Sequence, residues 1–152
     1  MSHSVYPYSE MQITFRLGCT LAAILSLAAC SSSPGRPEGR AALPECGLLP
    51  NCVNSQSGRG AQASEPLSAA TRQWQQLKAW IRQQPDWEVI VDENDFMQAV
   101  VKTPTLGFRD DVQLLFLPAQ QIIHVRSASR LGLSDLGTNA RRVDTLREQL
   151  GP

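Results

Sequence analysis

The segment 124–142 concentrates the side chains that could do chemistry. Its sequence is HVRSASRLGLSDLGTNARR, which contains four arginines against a single aspartate, with hydroxyl and amide side chains between them. Guanidinium groups are planar donors that bind carboxylates and phosphates, and serine and asparagine side chains can orient such an anion. The candidates for an anion pocket are Arg126, Ser127, Ser129, Arg130, Ser134, Asn139 and Arg142.

The same arginines can instead be neutralised inside the fold. Asp110, Asp111 and Asp135 are available to pair with them and to cap the edge of the predicted sheet. A paired guanidinium is no longer free to bind an external anion. We favour this structural network over the pocket, because the aspartates come close to the arginines in number once Asp110 and Asp111 are counted, and the sequence leaves both interpretations open.

The constellations that catalysis requires are incomplete in this sequence. Ser134 and Asp135 are adjacent, so they cannot flank His124 in one hydrogen-bonded line, and no Gly-x-Ser-x-Gly elbow is present. If Asp110 and Asp111 both lie on a strand, they point to opposite faces, which prevents them from acting as an acid/base couple unless the strand is bulged. We therefore predict no catalytic residues, no metal and no cofactor, and an enzyme is the weaker hypothesis.

Composition limits the size of the fold and the class of partner. The chain has 152 residues, of which 42% are hydrophobic, and this allows one modest domain. The 14 lysines and arginines are balanced by 14 aspartates and glutamates, so the net charge is zero. Without a basic excess there is little attraction to phosphate backbones, and we expect no nucleic-acid partner.

An export signal precedes the predicted fold. The run 17–29 carries no charge, follows Arg16 and is too short to span a bilayer. Cys30 follows this run directly, and LAAC at 27–30 resembles the lipobox of bacterial lipoproteins, where the cysteine thiol receives a diacylglyceryl group and the preceding peptide is removed. We expect a signal peptide over residues 1–29, lipidation of Cys30, and a membrane anchor made of acyl chains.

The residues on either side of this signal indicate where translation starts and to which membrane the protein is sorted. Pro7 and Glu10 are out of place in a basic leader, so the true start is expected at Met11. Residues 30–43 hold the lipidated cysteine and a stretch of Ser, Pro, Gly and Arg that is typical of a flexible tether. Ser31, in place of aspartate, resembles default sorting to the outer membrane, with the domain facing the periplasm.

A pair of cysteines follows the tether. Cys46 and Cys52 remain as an even pair once Cys30 is lipidated and Cys19 is removed with the signal. The envelope oxidises thiols, so a disulfide between them is predicted. A zinc site would need two further ligands, and His124 is the only histidine in the mature chain.

Hydrophobic periodicity over residues 44–152 predicts a single α+β domain. The order of elements is α-β-β-β-β-α, which favours an antiparallel four-stranded sheet with two helices packed on one face. Ser68 and Thr138 are the expected helix caps. The predicted helices are 69–83 and 139–149, and the predicted strands are 87–91, 96–102, 111–117 and 122–127.

The same periodicity predicts which candidate residues point inward. Ser127 shares a strand face with Val125 and is expected to be buried, whereas Arg126 faces the other way. Asn139 lies on the apolar stripe of the last helix with Val143. A buried amide without partners costs about 1 to 3 kcal/mol. The nearest candidate partners of the Asn139 amide in the sequence are Ser134, Asp135 and the backbone of the loop 132–137.

Three blocks of sequence in the mature domain carry a family resemblance. The blocks are PNCVNS at 50–55, GFRDDV at 107–112, and RSASR at 126–130 followed by Gly132, Ser134, Asp135, Gly137, Asn139, Arg142 and Val143. In this order, over about residues 44–150, they resemble the bacterial domain-of-unknown-function family 1499. The resemblance implies an exported lipoprotein without an established activity.

The sequence as a whole predicts a membrane-anchored lipoprotein whose domain is a non-catalytic binding or structural module of the cell envelope. Its partner would be an envelope protein or a small anionic ligand. The alternative is an envelope enzyme or binding protein that acts on an anionic small molecule through the Arg/Ser/Asn pocket.

Overall fold

The computed structural model describes residues 42–103 and 107–151. The predicted signal peptide, Cys30 and most of the tether lie outside these residues. None of the helices within the described ranges is long and apolar enough to cross a bilayer. In chain order the elements are β1 (Cys52–Asn54), a short 3-10 helix (Gly60–Gln62), β2 (Leu67–Ser68), α1 (Thr71–Gln83), β3 (Trp87–Asp92), β4 (Phe96–Lys102), β5 (Arg109–Leu117), β6 (Ile122–Ser129) and α2 (Thr138–Leu150).

The described strands form one antiparallel sheet of six strands, so the predicted class is correct and the predicted count of four is wrong. The strand order is β1-β6-β5-β4-β3, and β2 pairs with β6 next to β1. The two additional strands are three and two residues long. They pair with the edge of β6, with Cys52 opposite Ala128 and Leu67 opposite Ile123. Strands this short have no periodicity of their own to reveal them.

Strands β5 and β6 are both longer than predicted, and their extra residues position the candidate site. β5 begins at Arg109 and β6 continues to Ser129. In the paired register Asp110 therefore lies opposite Ser129, and Val112 lies opposite Ser127. Candidate residues from separate parts of the sequence thus meet at one end of the sheet.

Both helices contribute to the hydrophobic core that covers one face of the sheet. Trp74 of α1 is fully buried and stacks on Phe116 of β5, with ring centroids 5.6 Å apart. Its indole Nε1 donates a hydrogen bond to the backbone oxygen of Asn94 at 2.7 Å. The buried apolar side chains of the helices are Trp74, Leu77, Ile81, Val143, Leu146 and Leu150. We call this side of the sheet the helix face and the opposite side the outer face.

Both helices start at residues other than the predicted ones. α1 begins at Thr71, and Ser68 belongs to β2 instead of capping the helix. α2 begins at Thr138, and its cap residue is Gly137, which has a left-handed φ of 78°. Glycine adopts this conformation without a steric penalty. The backbone therefore turns into α2 one residue earlier than predicted.

The predicted disulfide is confirmed. Cys46 and Cys52 are bonded, with their Cα atoms 5.7 Å apart. Cys52 is buried and is the first residue of β1, whose partner strand is β6. The bond therefore ties the chain that enters the domain directly to the sheet.

Candidate functional site

The candidate residues are divided between the two faces of the sheet. Asp110 and Asp111 are consecutive residues of β5, so their side chains point to opposite faces. Asp110 pairs with Arg142 on the helix face, and Asp111 pairs with Arg130 on the outer face. The arginines considered for an anion pocket therefore do not converge on one cleft.

The helix face holds a buried polar cluster that we call the Asn139 network, which consists of Asp110, Ser127, Ser129, Asn139 and Arg142. Arg142 Nη2 donates to Asp110 Oδ2 at 2.7 Å, and these side chains are only 8% and 2% exposed. Arg142 Nη1 donates to Ser127 Oγ at 2.8 Å and to Asn139 Oδ1 at 2.7 Å. The guanidinium thus connects α2 to both β5 and β6.

Asn139 is at the centre of this network and is 0% exposed. Its Oδ1 accepts a hydrogen bond from Ser127 Oγ at 2.7 Å in addition to the one from the arginine. Its Nδ2 donates to the backbone oxygen of Asn51 at 2.9 Å and to Ser129 Oγ at 3.2 Å. One side chain therefore joins α2, β6 and the segment that precedes β1.

Asn51 is a structural partner that the sequence did not single out. Its Nδ2 donates to the backbone oxygen of Gly132 at 2.9 Å, and its backbone oxygen also accepts from the N–H of Ser129 at 2.9 Å. It thereby ties the loop between β6 and α2 to the disulfide-bonded entry of the chain. Its place in the block PNCVNS was the one available signal, but that block gives no indication of a contact with residues so distant in sequence.

Asp135 and Ser134 organise the loop before α2 and pair with no arginine among the described residues. Asp135 Oδ1 accepts from the N–H of Gly137 at 3.0 Å, and its Oδ2 accepts from the N–H of Asn139 at 2.8 Å. Ser134 Oγ accepts from the N–H of Leu136 at 3.3 Å. A carboxylate that satisfies free N–H groups at a helix start also interacts favourably with the helix dipole. Asp135 therefore fixes the start of the helix that carries Asn139.

The remaining candidates lie on the outer face. Arg130 donates to both oxygens of Asp111, at 2.9 and 3.1 Å, and this hydrogen bonding raises the pKa of Arg130. Arg126 Nη1 donates to Gln113 Oε1 at 3.3 Å. Burial lowers the pKa of Arg126, although the nearby charge of Asp111 opposes this effect. The outer-face arginines are therefore also engaged by side chains of β5.

His124 is separated from the serine and aspartate of the loop. It belongs to the same strand face as Arg126, and its Nδ1 is 3.3 Å from Ser55 Oγ. That hydroxyl oxygen accepts from the N–H of Val125 at 2.8 Å, so its proton is available for Nδ1. No group of three His, Cys, Asp or Glu side chains within the described ranges could hold a metal ion.

Folding stability should depend on the protonation of His124. Burial lowers the pKa of His124 below its ordinary value of about 6.5. The unfolded chain then binds the proton more readily than the folded chain, so the free energy of unfolding falls as the pH is lowered through 6.5 towards the folded-state pKa. We expect urea midpoints measured at pH 7.5 and 5.5 to differ less for His124→Asn than for the parent. An equal fall in both proteins would contradict this assignment.

A pocket of about 340 Å³ opens beside the Asn139 network. Asp110 and Ser129 contribute to its wall together with side chains of the loop between β6 and α2. Asp110 Oδ1 is buried and has no hydrogen-bond partner in the described part of the chain, in contrast to Oδ2. Thr103 Oγ1, on the same pocket, is also buried without a partner. One oxygen of the network, Asp110 Oδ1, and the neighbouring Thr103 Oγ1 are thus unpaired in the described part of the chain.

Comparisons with known proteins place the domain in a family. A family model described as "Protein of unknown function (DUF1499)" matches residues 42–150. No curated protein matches the chain. The matched residues include the three blocks that carry the resemblance and all the described helices and strands. The chain therefore belongs to the DUF1499 family of proteins of unknown function.

Proposed function

We propose that the chain is a lipoprotein of the bacterial cell envelope. Acyl chains on Cys30 hold it at the periplasmic side of the outer membrane, and its α+β domain is a non-catalytic binding module. The uncharged run 17–29, which Cys30 follows to complete LAAC at 27–30, supports the anchor. The Cys46–Cys52 disulfide supports an oxidising compartment.

The observation that carries the binding role is the state of Asp110. One carboxylate oxygen is paired with Arg142, whereas the other is buried beside a pocket and has no partner within residues 42–103 and 107–151. An unsatisfied buried oxygen lowers the stability of the fold, and a ligand that donates a hydrogen bond to it would remove that cost. A purely structural network would be more stable with both oxygens satisfied.

The same network supports binding over catalysis. The hydroxyl of Ser127 donates to Asn139 and accepts from Arg142, so it is not poised as a nucleophile. An anionic substrate is also poorly supported, because Arg142 is paired with Asp110 and the other two candidate arginines lie on the outer face. The geometry therefore favours a ligand that does not rely on a free guanidinium.

The anchor is tested by metabolic labelling of the full chain in bacteria with an alkyne-tagged palmitate. Cys30→Ala should abolish incorporation of the label and halt normal maturation, because this thiol is the acyl acceptor of the proposed signal. Cys19→Ala is the matched control, since that cysteine lies inside the predicted signal, and it should keep the label of the parent. Undiminished labelling of Cys30→Ala would rule out the proposed anchor.

A further inference from the structure

We propose that the pocket beside the Asn139 network, here called the Asp110 pocket, binds a neutral amphiphile that has an aliphatic body and a hydroxyl head group. The inference rests on the binding role proposed above and adds the class of ligand. A volume of about 340 Å³ is in the range of small-molecule sites. The lining residues that matter are Thr103, Phe108, Asp110, Ser129, Leu131 and Leu136.

The apolar part of this pocket is unusually exposed. Leu131 is 59% exposed, Leu136 is 84% exposed, and Phe108 is nearly half exposed. Clustered apolar side chains that rim a concave site are typical of ligand-binding surfaces. Leu136 also has a φ of 51°, a left-handed conformation that leucine rarely adopts, and such conformations concentrate at functional sites. These three side chains can cover an aliphatic body.

The polar part of the pocket calls for a group that both donates and accepts. Asp110 Oδ1 belongs to a carboxylate that is paired with Arg142, so it can only accept a hydrogen bond. Thr103 Oγ1 can donate, and both atoms are buried without a partner among the residues that the structure describes. Both residues line the pocket, so the proposed ligand inserts its hydroxyl between them, where it donates to Asp110 and accepts from Thr103. An aliphatic group at the same place would leave both unsatisfied.

The charges around the pocket favour a head group without charge. The carboxylate of Asp110 is already balanced by Arg142 at 2.7 Å. Asp135 is occupied by backbone N–H groups at the start of α2. Arg141 donates to the backbone oxygen of Leu136 at 3.0 Å and to a threonine hydroxyl. An anion would be repelled by the carboxylate of Asp110, while Arg141 and Arg142 already have partners. An ammonium group would have to compete with Arg142 for Asp110.

The test uses three photoreactive probes with the same eight-carbon, diazirine-bearing chain and different head groups: a primary alcohol, an amine and a carboxylic acid. The full-length protein is irradiated in its native membranes at pH 7 and digested with trypsin. Mass spectrometry then locates the label. We expect saturable labelling of the peptides 103–109 and 131–141, with a half-saturating concentration at least about tenfold lower for the alcohol than for the two charged probes.

Two variants separate binding from folding. Thr103→Val removes an unpaired hydroxyl at nearly constant shape, so the urea midpoint should not fall, while the half-saturating concentration of the alcohol should rise about threefold to tenfold. Thr71→Val, which alters an exposed residue at the start of α1, is the control and should change neither value. Leu136→Asn favours the left-handed backbone and should retain stability, yet weaken labelling by at least about tenfold.

The outcomes distinguish the ligand class from the binding role. Equal or stronger saturable labelling of the two peptides by the acid or the amine would overturn the neutral amphiphile and leave the binding role intact. A parent-like half-saturating concentration for Thr103→Val would also overturn it. Absence of saturable labelling at the Asp110 pocket by all three probes would overturn both the ligand class and the binding role.

Discussion

Replacing Arg142 by alanine is expected to lower the free energy of unfolding by about 3 to 5 kcal/mol. The guanidinium is 8% exposed and pairs with Asp110, which is 2% exposed. Its removal leaves the buried carboxylate of Asp110 without its charged partner, because Oδ2 loses the hydrogen bond from Arg142. The loss also deprives Ser127 and Asn139 of a charged donor. The variant therefore loses a central connection between α2 and the sheet.

Arg141→Ala is the matched control for this change. Arg141 is the preceding residue of α2, and its exposed side chain bonds to Leu136 and Thr138 of the same loop and helix. Surface arginines contribute about 1 kcal/mol or less, so this variant should remain close to the parent in urea unfolding. A parent-like midpoint and slope for Arg142→Ala would show that the ion pair does not stabilise the fold.

A charge-neutral double variant tests the physical cause. Asp110→Asn combined with Arg142→Leu removes both charges, so no uncompensated carboxylate remains. We expect this double variant to be more stable than Arg142→Ala, because breaking a buried pair is more costly than replacing both partners. If the double variant were the less stable protein, desolvation of Asp110 could not be the main cost.

The longer strands and both helices could be predicted because each has its own periodicity. The pattern of β4 predicts Phe96–Lys102, and the structure has the same bounds. β1 and β2 could not be found in this way, since they depend on the edge of β6 for their hydrogen bonds. The predicted number of strands was therefore wrong, because the two missed strands are determined by their pairing with β6 and not by a local sequence pattern.

The directions of the candidate side chains could be predicted from the sequence, but their hydrogen-bond and ion-pair partners could not. Helical spacing places Asn139 on one face with Val143, and the structure buries both. The predicted partners were near in sequence, whereas Asn139 Nδ2 bonds to the backbone oxygen of Asn51, 88 residues away. Likewise, strand alternation separates Asp110 from Asp111, but it cannot tell which arginine reaches which face. Those contacts depend on how α2 packs across the end of the sheet.

Asn139→Leu is the second large change, with an expected loss of about 3 kcal/mol, at the upper end of the range for an unsatisfied buried group. Leucine is similar in volume, so the effect comes from the lost hydrogen bonds and not from a cavity. The leucine side chain cannot donate to the backbone oxygen of Asn51 or to the hydroxyl of Ser129, as the Asn139 amide does. It also lacks the oxygen that accepts from Ser127. Urea unfolding of the full chain measures the loss.

Gln149→Leu is the control for this variant, because it makes a comparable amide-to-leucine change on the exposed side of the same helix and should stay within about 0.5 kcal/mol of the parent. Asn139 and Arg142 share Ser127 and bond to each other. The double variant Asn139→Leu/Arg142→Ala should therefore lose less stability than the sum of the single losses. Strict additivity would mean that the two residues act independently, and the Asn139 network could then not be treated as one stabilising unit.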